Sequence, residues 1–145
     1  LRVVLDNLVS NAFKNAPPGT RIAIHVVEGD CQIPNKTWAR PSPDPSGMVR
    51  HSPLLARPDT RWIHVQVHNM GRPIPQRMRR GLFDPYTSNR RGYPTLRSTG
   101  LGMGIAAACA HQIGGAVWVA GSDQTGTRIH FSLPAVIVKV DQPVN

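Results

Sequence analysis

The stretch Ser98-Thr99-Gly100-Leu101-Gly102-Met103-Gly104 runs directly into the alanine-rich segment Ile105-Ala106-Ala107-Ala108-Cys109-Ala110, which stops at Gly114-Gly115. The composition of the second segment and its terminal glycines predict a helix over residues 104–113. Three alternating glycines ahead of a helix let the backbone approach a ligand closely and leave amide N–H groups free. The positive end of the helix dipole adds to them, which is how anionic phosphates are cradled. Glycines also serve plain turns, so the motif alone decides little about chemistry. It does exclude two phosphate-binding designs: it lacks the GK[ST] ending of a P-loop, and it is not a GxGxxG following a strand.

Working outward, residues 116–120 and 127–133 read as strands, the second placing Ile129, Phe131 and Leu133 on one face. Upstream, residues 62–68 set Ile63, Val65 and Val67 on one face, and residues 20–28 alternate Ile22, Ile24 and Val26 inward as a half-buried strand. Residues 1–15 repeat Leu1, Val4, Leu5, Leu8 and Ala12 at the spacing of an amphipathic helix, which Pro17-Pro18-Gly19 stops. The order is helix, strand, strand, loop, helix, strand, strand. It predicts an α+β fold: a two-layer α/β sandwich whose mixed, mostly antiparallel sheet carries its helices on one face. A Rossmann fold would need strand and helix in strict alternation.

A chain of 145 residues is long enough for one core and not two. The domain is expected over residues 1–134, with a C-terminal tail at 135–145. Residues 29–60 hold six prolines between two strands that a short turn could join, and so read as an insertion. Its closure cost is modest, because loop entropy grows only logarithmically with length. No run of about 18 apolar residues exists to span a membrane. The start does not read as a signal peptide, since Asp6 and Asn7 interrupt its apolar stretch, and a cytoplasmic location is expected. Cys31 and Cys109 lack CxxC spacing, which speaks against a zinc site or disulfide framework and for a reducing compartment. The net charge is +9, and seven arginines fall between Arg72 and Arg97. Such a cluster either steers a polyanion or forms a solvated loop surface, and charge alone does not choose.

Two further segments bear on chemistry. On the first helix, Asn7, Asn11 and Lys14 fall within an arc of about 60° beside the apolar stripe. Carboxamide oxygens are hard ligands suited to Mg²⁺, and an ammonium suits phosphate; a polar flank without a task is the alternative. Then Val67-His68-Asn69-Met70-Gly71-Arg72-Pro73-Ile74-Pro75 ends a strand with a polar side chain, a glycine and a proline-stiffened turn. It either presents Asn69 at a pocket mouth or simply ends a strand.

Taken together, these segments resemble the nucleotide-binding boxes of sensor histidine kinases, a family in the superfamily shared with gyrase, a heat-shock chaperone and mismatch-repair ATPases. Leu5-Asp6-Asn7-Leu8-Val9-Ser10-Asn11-Ala12-Phe13-Lys14 resembles the N box. Asn69-Met70-Gly71-Arg72-Pro73 stands where the first glycine box belongs, and Leu82-Phe83-Asp84-Pro85-Tyr86 resembles the F box. Gly100–Gly104 is similar to the second glycine box, and Gly126-Thr127 with Phe131-Ser132-Leu133-Pro134 resembles the closing motif.

The resemblance implies an ATP·Mg²⁺ site. Asn11 would coordinate Mg²⁺ at the phosphates with support from Asn7, and Lys14 would meet phosphate; Asn11 and Lys14 are the implied catalytic pair. Asn69 would meet the adenine amino group, Gly71 would give the base room, and Ile74 would belong to the same nucleotide site. Gly100, Leu101, Gly102 and Gly104 would lie at the phosphates and the hinge of a lid over residues 84–99, with Thr127 beneath the adenine. Two positions depart from the family pattern: Asn69 replaces an aspartate, giving a neutral acceptor, and Pro73 replaces a glycine.

Asn7 also bears on the reaction. The superfamily's hydrolases carry a glutamate there as general base, whereas a carboxamide takes no proton at neutral pH. The resemblance therefore implies phosphoryl transfer to a protein histidine rather than hydrolysis. None of the six histidines has a phosphoacceptor context, so the acceptor would be a separate dimerisation domain, with a response regulator downstream. Two alternatives stay open: a degenerate nucleotide-binding domain acting as an interaction module, and a basic nucleic-acid binder. The latter lacks aromatic interleaving or a helix-turn-helix pattern, and no nucleic-acid partner is expected.

Overall fold

The computed structural model describes residues 1–30, 60–79, 81–83 and 100–135. The expected insertion (bar its first two residues and its last), the expected lid over 84–99 and most of the tail lie outside the described residues.

Helix α1 spans Arg2–Asn15 and buries Val4, Leu8 and Ala12 along one stripe. Leu1, expected in that stripe, stands at the N-cap and is exposed. The helix ends where Pro17 forbids continuation: Ala16 turns extended, at φ −77° and ψ 133°, as a residue before proline must. Thr20 then bonds back to the Pro17 carbonyl through both its N–H and its hydroxyl. That turn delays strand β1, Ile22–Gly29, by two residues relative to the reading from sequence. Strand β2 spans Trp62–Asn69.

A short helix α2 at Gln76–Arg79 was not foreseen. Pro75 opens it, its carbonyl accepting from Met78 N–H at 2.8 Å, so the prolines that read as a loop set up a helical turn. Helix α3, Gly102–Gln112, buries Met103, Ala106, Ala107 and Ala110, and starts two residues earlier than predicted. It closes with Gly114 N–H on the His111 carbonyl and Gly115 N–H on the Ala110 carbonyl. Strands β3, Ala116–Asp123, and β4, Gly126–Pro134, complete the chain.

The sheet order is β1-β2-β4-β3 and every described pairing is antiparallel. The fold is the expected α+β type. Val65 and Val67 of β2, Ile129 and Phe131 of β4, and Val117 of β3 form one buried face under α1 and α3, joined by Phe83. Fully burying side chains of this size contributes about 1.5–3 kcal/mol each, and this face is the core.

One expectation fails on that face. Ile24 and Val26 were read as inward, yet they are 52% and 63% exposed. β1 is the edge strand, with α1 lying over β2 and α3 over β3 and β4, so neither of these two helices covers it.

On the opposite face, His64 is buried between the Ser132 hydroxyl at 2.5 Å and the Asp30 carbonyl at 2.8 Å. A carbonyl only accepts, so Nε2 donates to it. Those contacts give His64 a structural part in the sheet.

Candidate functional site

The polar residues picked from sequence gather at one end of the sheet, where β2 ends, β4 begins and β3 ends. Asn69 and Thr127 are register partners, both buried. Ser122 of β3 is opposite Thr127 because a register shift between Val119 and Gly121 moves it into that place. The Ser122 and Thr127 hydroxyls lie 2.8 Å apart, and either is able to donate. Ile74 N–H donates to Ser122 Oγ at 2.6 Å. Arg79 fixes the same corner, its Nε donating to the Ile74 carbonyl at 3.0 Å and its Nη2 to the Ser122 carbonyl at 2.6 Å. The loop after β2 is thereby stitched to the far hairpin.

Asn69 is 3% exposed, and its side-chain nitrogen Nδ2 is buried with no hydrogen-bond partner. A buried amide donor left unpaired costs about 1–3 kcal/mol, which marks a place where a partner belongs. Gly71 lies against it. A Cβ on Gly71 would stand 2.5 Å from Asn69 Nδ2 and would overlap the Asn15 carbonyl oxygen. Glycine is required at position 71 because the Asn69 carboxamide and the Asn15 carbonyl already fill the place a Cβ would take.

The second gathering point is on α1. The Asn7 side-chain oxygen faces Gly102, where a Cβ would stand 2.7 Å from it. Asn7 Nδ2 donates to the Val3 carbonyl at 2.8 Å, which orients the oxygen outward from the helix. Leu101 is the N-cap of α3 and makes no side-chain capping bond, so the first amides of α3, at Gly102, Met103 and Gly104, keep their donors free. Gly100, with φ +69°, turns the chain into that helix.

Asn11 stands midway. Asn15 Nδ2 donates to its backbone carbonyl at 2.7 Å and to its Oδ1 at 3.2 Å. A carboxamide oxygen has two acceptor positions, so one stays available. Asn7, Asn11 and Asn15 form an i, i+4, i+8 ladder about 12 Å long. One end meets Gly102 and the other meets Gly71. An elongated ligand lying along α1 would touch both. Lys14, in the last turn of α1, is exposed.

The expected residues thus fall into two groups joined by α1: Asn69, Gly71, Ile74 and Thr127 at one end, and Asn7, Gly100, Leu101, Gly102 and Gly104 at the other. Ser122, Arg79 and Asn15 were missed from sequence. For Asn15 the signal existed, since it lies four residues beyond Asn11.

The donor set also bears on magnesium. Among the described residues no three His, Cys, Asp or Glu side chains come together as a metal cluster. The hard oxygen of Asn11 is of the type Mg²⁺ takes, and it would serve as a single protein ligand to an ion otherwise held by phosphate and water.

The family model for histidine kinase-, DNA gyrase B- and HSP90-like ATPases matches residues 1–137. Among curated proteins, the sensor histidine kinase WalK of Bacillus subtilis (strain 168) is 25% identical over 132 residues, which is 90% of this chain and 17% of WalK. The chain therefore spans a small part of that relative. Among solved structures, the mycobacterial sensor histidine kinase MprB has a TM-score of 0.58 at 22% identity, over 91% of this chain and 70% of the other. Full-length ShkA in complex with AMPPNP has a TM-score of 0.55 at 18% identity, over 92% of this chain and 21% of the other. The nucleotide-free catalytic domain of histidine kinase ThkA has a TM-score of 0.52 at 23% identity, covering 90% and 62%. At these identities the likeness establishes the fold.

Proposed function

The chain belongs to the histidine kinase-, DNA gyrase B- and HSP90-like ATPase family, and from that premise we propose that it is the ATP·Mg²⁺-binding catalytic domain of a two-component sensor histidine kinase. It transfers the ATP γ-phosphate to a histidine on a separate dimerisation and phosphoacceptor domain, from which a response regulator is served. The observation that carries this reading is the row of Asn7, Asn11 and Asn15 on α1, which meets Gly102 at the first turn of α3 at one end and Gly71 beside Asn69 at the other.

In this reading the base enters over Gly71 and meets the Asn69 carboxamide, with Thr127 beneath it and Ile74 at its side. The triphosphate runs along the asparagine ladder of α1 toward the free amides of α3, which favour anions through both their N–H groups and the helix dipole. Asn11 supplies an oxygen ligand to Mg²⁺, which when bound neutralises charge on the phosphates. Lys14, at the rim, meets phosphate from solvent. In the transfer the bond between the γ-phosphorus and its bridging oxygen breaks, ADP leaves, and a phosphorus–nitrogen bond forms on the acceptor imidazole. Asn7 takes no proton from water, so hydrolysis lacks a base there. Among the described residues no helix is long and apolar enough to cross a membrane, and the domain works on the cytoplasmic side.

Titration calorimetry with AMPPNP tests this. Binding in the micromolar to millimolar range that weakens when Mg²⁺ is removed is the expected result. The absence of heat at every accessible concentration would sink the kinase reading and favour a degenerate domain that docks partners.

A further inference from the structure

At the base end, the only buried side-chain polar atom without a partner among the described residues is a donor, Asn69 Nδ2. This is notable because the ligand group implied for that spot, a 6-amino group on a purine, is itself a donor. An aspartate in this place would present acceptors only and would repel a 6-oxo group. A carboxamide presents one acceptor and one donor, exchanged by a half-turn of its terminal torsion. With the ring held in one position over Gly71, the same residue is able to accept from a 6-amino group through Oδ1 or donate to a 6-oxo group through Nδ2.

Resting on the nucleotide reading above, we propose that Asn69 makes this a purine site of relaxed 6-position specificity, one that takes 6-oxopurine nucleoside triphosphates alongside ATP. The surroundings agree with this. Nδ2 has no partner within the protein, and the backbone of Gly71 lies against the carboxamide, where a Cβ would sit 2.5 Å from Nδ2. The neighbouring hydroxyls do not fix which way the carboxamide turns: Thr127 Oγ1 is engaged with Ser122, and Ser122 Oγ with Ile74 N–H. No charge enters the contact in either orientation, so neither purine gains the charge-assisted bond that an aspartate would reserve for the amino form.

The test is equilibrium binding of three triphosphates to the 145-residue chain: ATP, ITP, and the purine riboside analogue with hydrogen at position 6. ITP isolates the 6-oxo group without the 2-amino group of guanine. ATP and ITP should bind within about tenfold of each other, with the 6-hydrogen analogue weaker than both by roughly a hydrogen bond's worth, on the order of threefold to tenfold. Asn69→Asp should move the ATP:ITP preference toward ATP by at least about tenfold. An ITP affinity more than about tenfold below that of ATP, beyond one neutral hydrogen bond, would overturn the inference and leave the ATP site standing. A 6-hydrogen analogue that binds as well as the other two would also overturn it. Binding of none of the three would overturn both this inference and the nucleotide reading. Should Asn69→Asp not fold, the three triphosphates on the unaltered chain decide the matter.

Discussion

The side-chain oxygen of Asn7 and the α-carbon of Gly102 are packed so closely that a Cβ on Gly102 would stand 2.7 Å from that oxygen. The contact joins the middle of α1 to the first turn of α3. Replacing a helical glycine by alanine ordinarily gains about 0.5–1 kcal/mol. Here the new methyl must displace Asn7, whose Nδ2 is held by the Val3 carbonyl. Gly102→Ala is therefore expected to bring no rise in melting temperature while weakening AMPPNP binding about tenfold or more, by disturbing the donors proposed to face the phosphates. Paired thermal and calorimetric measurements check this. A stabilised variant with unchanged affinity would show that the contact has no part in the site.

Asn11 separates function from stability in the opposite way. Its side chain is only half-buried and its described bond is to Asn15. Alanine is the better helix former. Asn11→Ala should leave the melting temperature unchanged or slightly higher, abolish phosphotransfer to a supplied histidine domain, and remove the Mg²⁺ dependence of nucleotide binding. Intact transfer would remove Asn11 from the proposed metal site.

What could be read in the sequence, and what could not, follows from these contacts. The buried stripe of α1 and the alternation in β2 and β4 were legible because each element packs against the core along a regular period, as Val4, Leu8 and Ala12 do. Ile24 and Val26 misled because alternation reports which face a side chain takes and not whether a helix lies above it. Asn69 and Gly71 stood out as a polar residue and a glycine at a strand end. Ser122 did not, because the register shift after Val119 turns it toward Thr127, and no local pattern announces a bulge. Arg79 was hidden among the other arginines. Its role depends on the turn that Pro75 starts and on a β3 carbonyl 43 residues away in sequence.

The chain of hydroxyls predicts how that corner fails. Thr127→Val keeps the shape but removes the partner of a Ser122 hydroxyl that also receives Ile74 N–H. A buried hydrogen bond lost with one partner retained costs about 1–3 kcal/mol, and Thr127→Ser should restore most of it. Urea denaturation of the three proteins measures the difference. If valine matched threonine, the hydroxyl pair would contribute nothing to the corner.

Acid should weaken the fold in two separate windows, each traceable to one residue. Burial pushes His130 below its usual value of 6.5, and the nearby charges of His64 and Arg128 act in the same direction. Its Nε2 faces Gln66 Oε1 at 2.7 Å, and its ring packs at a tilt on Trp118. As pH falls below 6.5, the unfolded chain binds a proton that the native ring refuses. Stability therefore drops with falling pH, at no more than about 1.4 kcal/mol per pH unit, until the native ring protonates too. His130→Gln should flatten this window while keeping a donor for Gln66. Asp123 acts lower down. Bonds from the Thr125 hydroxyl and N–H, then from Arg128, hold its carboxyl at about 2 instead of 3.8. That contribution is complete above 3.8 and is lost as pH falls from there toward 2, so Asp123→Asn should remove the second window and leave the first. Melting temperatures of the three proteins between pH 7.5 and 2.5 (about one unit beyond the usual His and Asp values) resolve the two. A single common loss, unaffected by either substitution, would show that acid acts elsewhere in the chain.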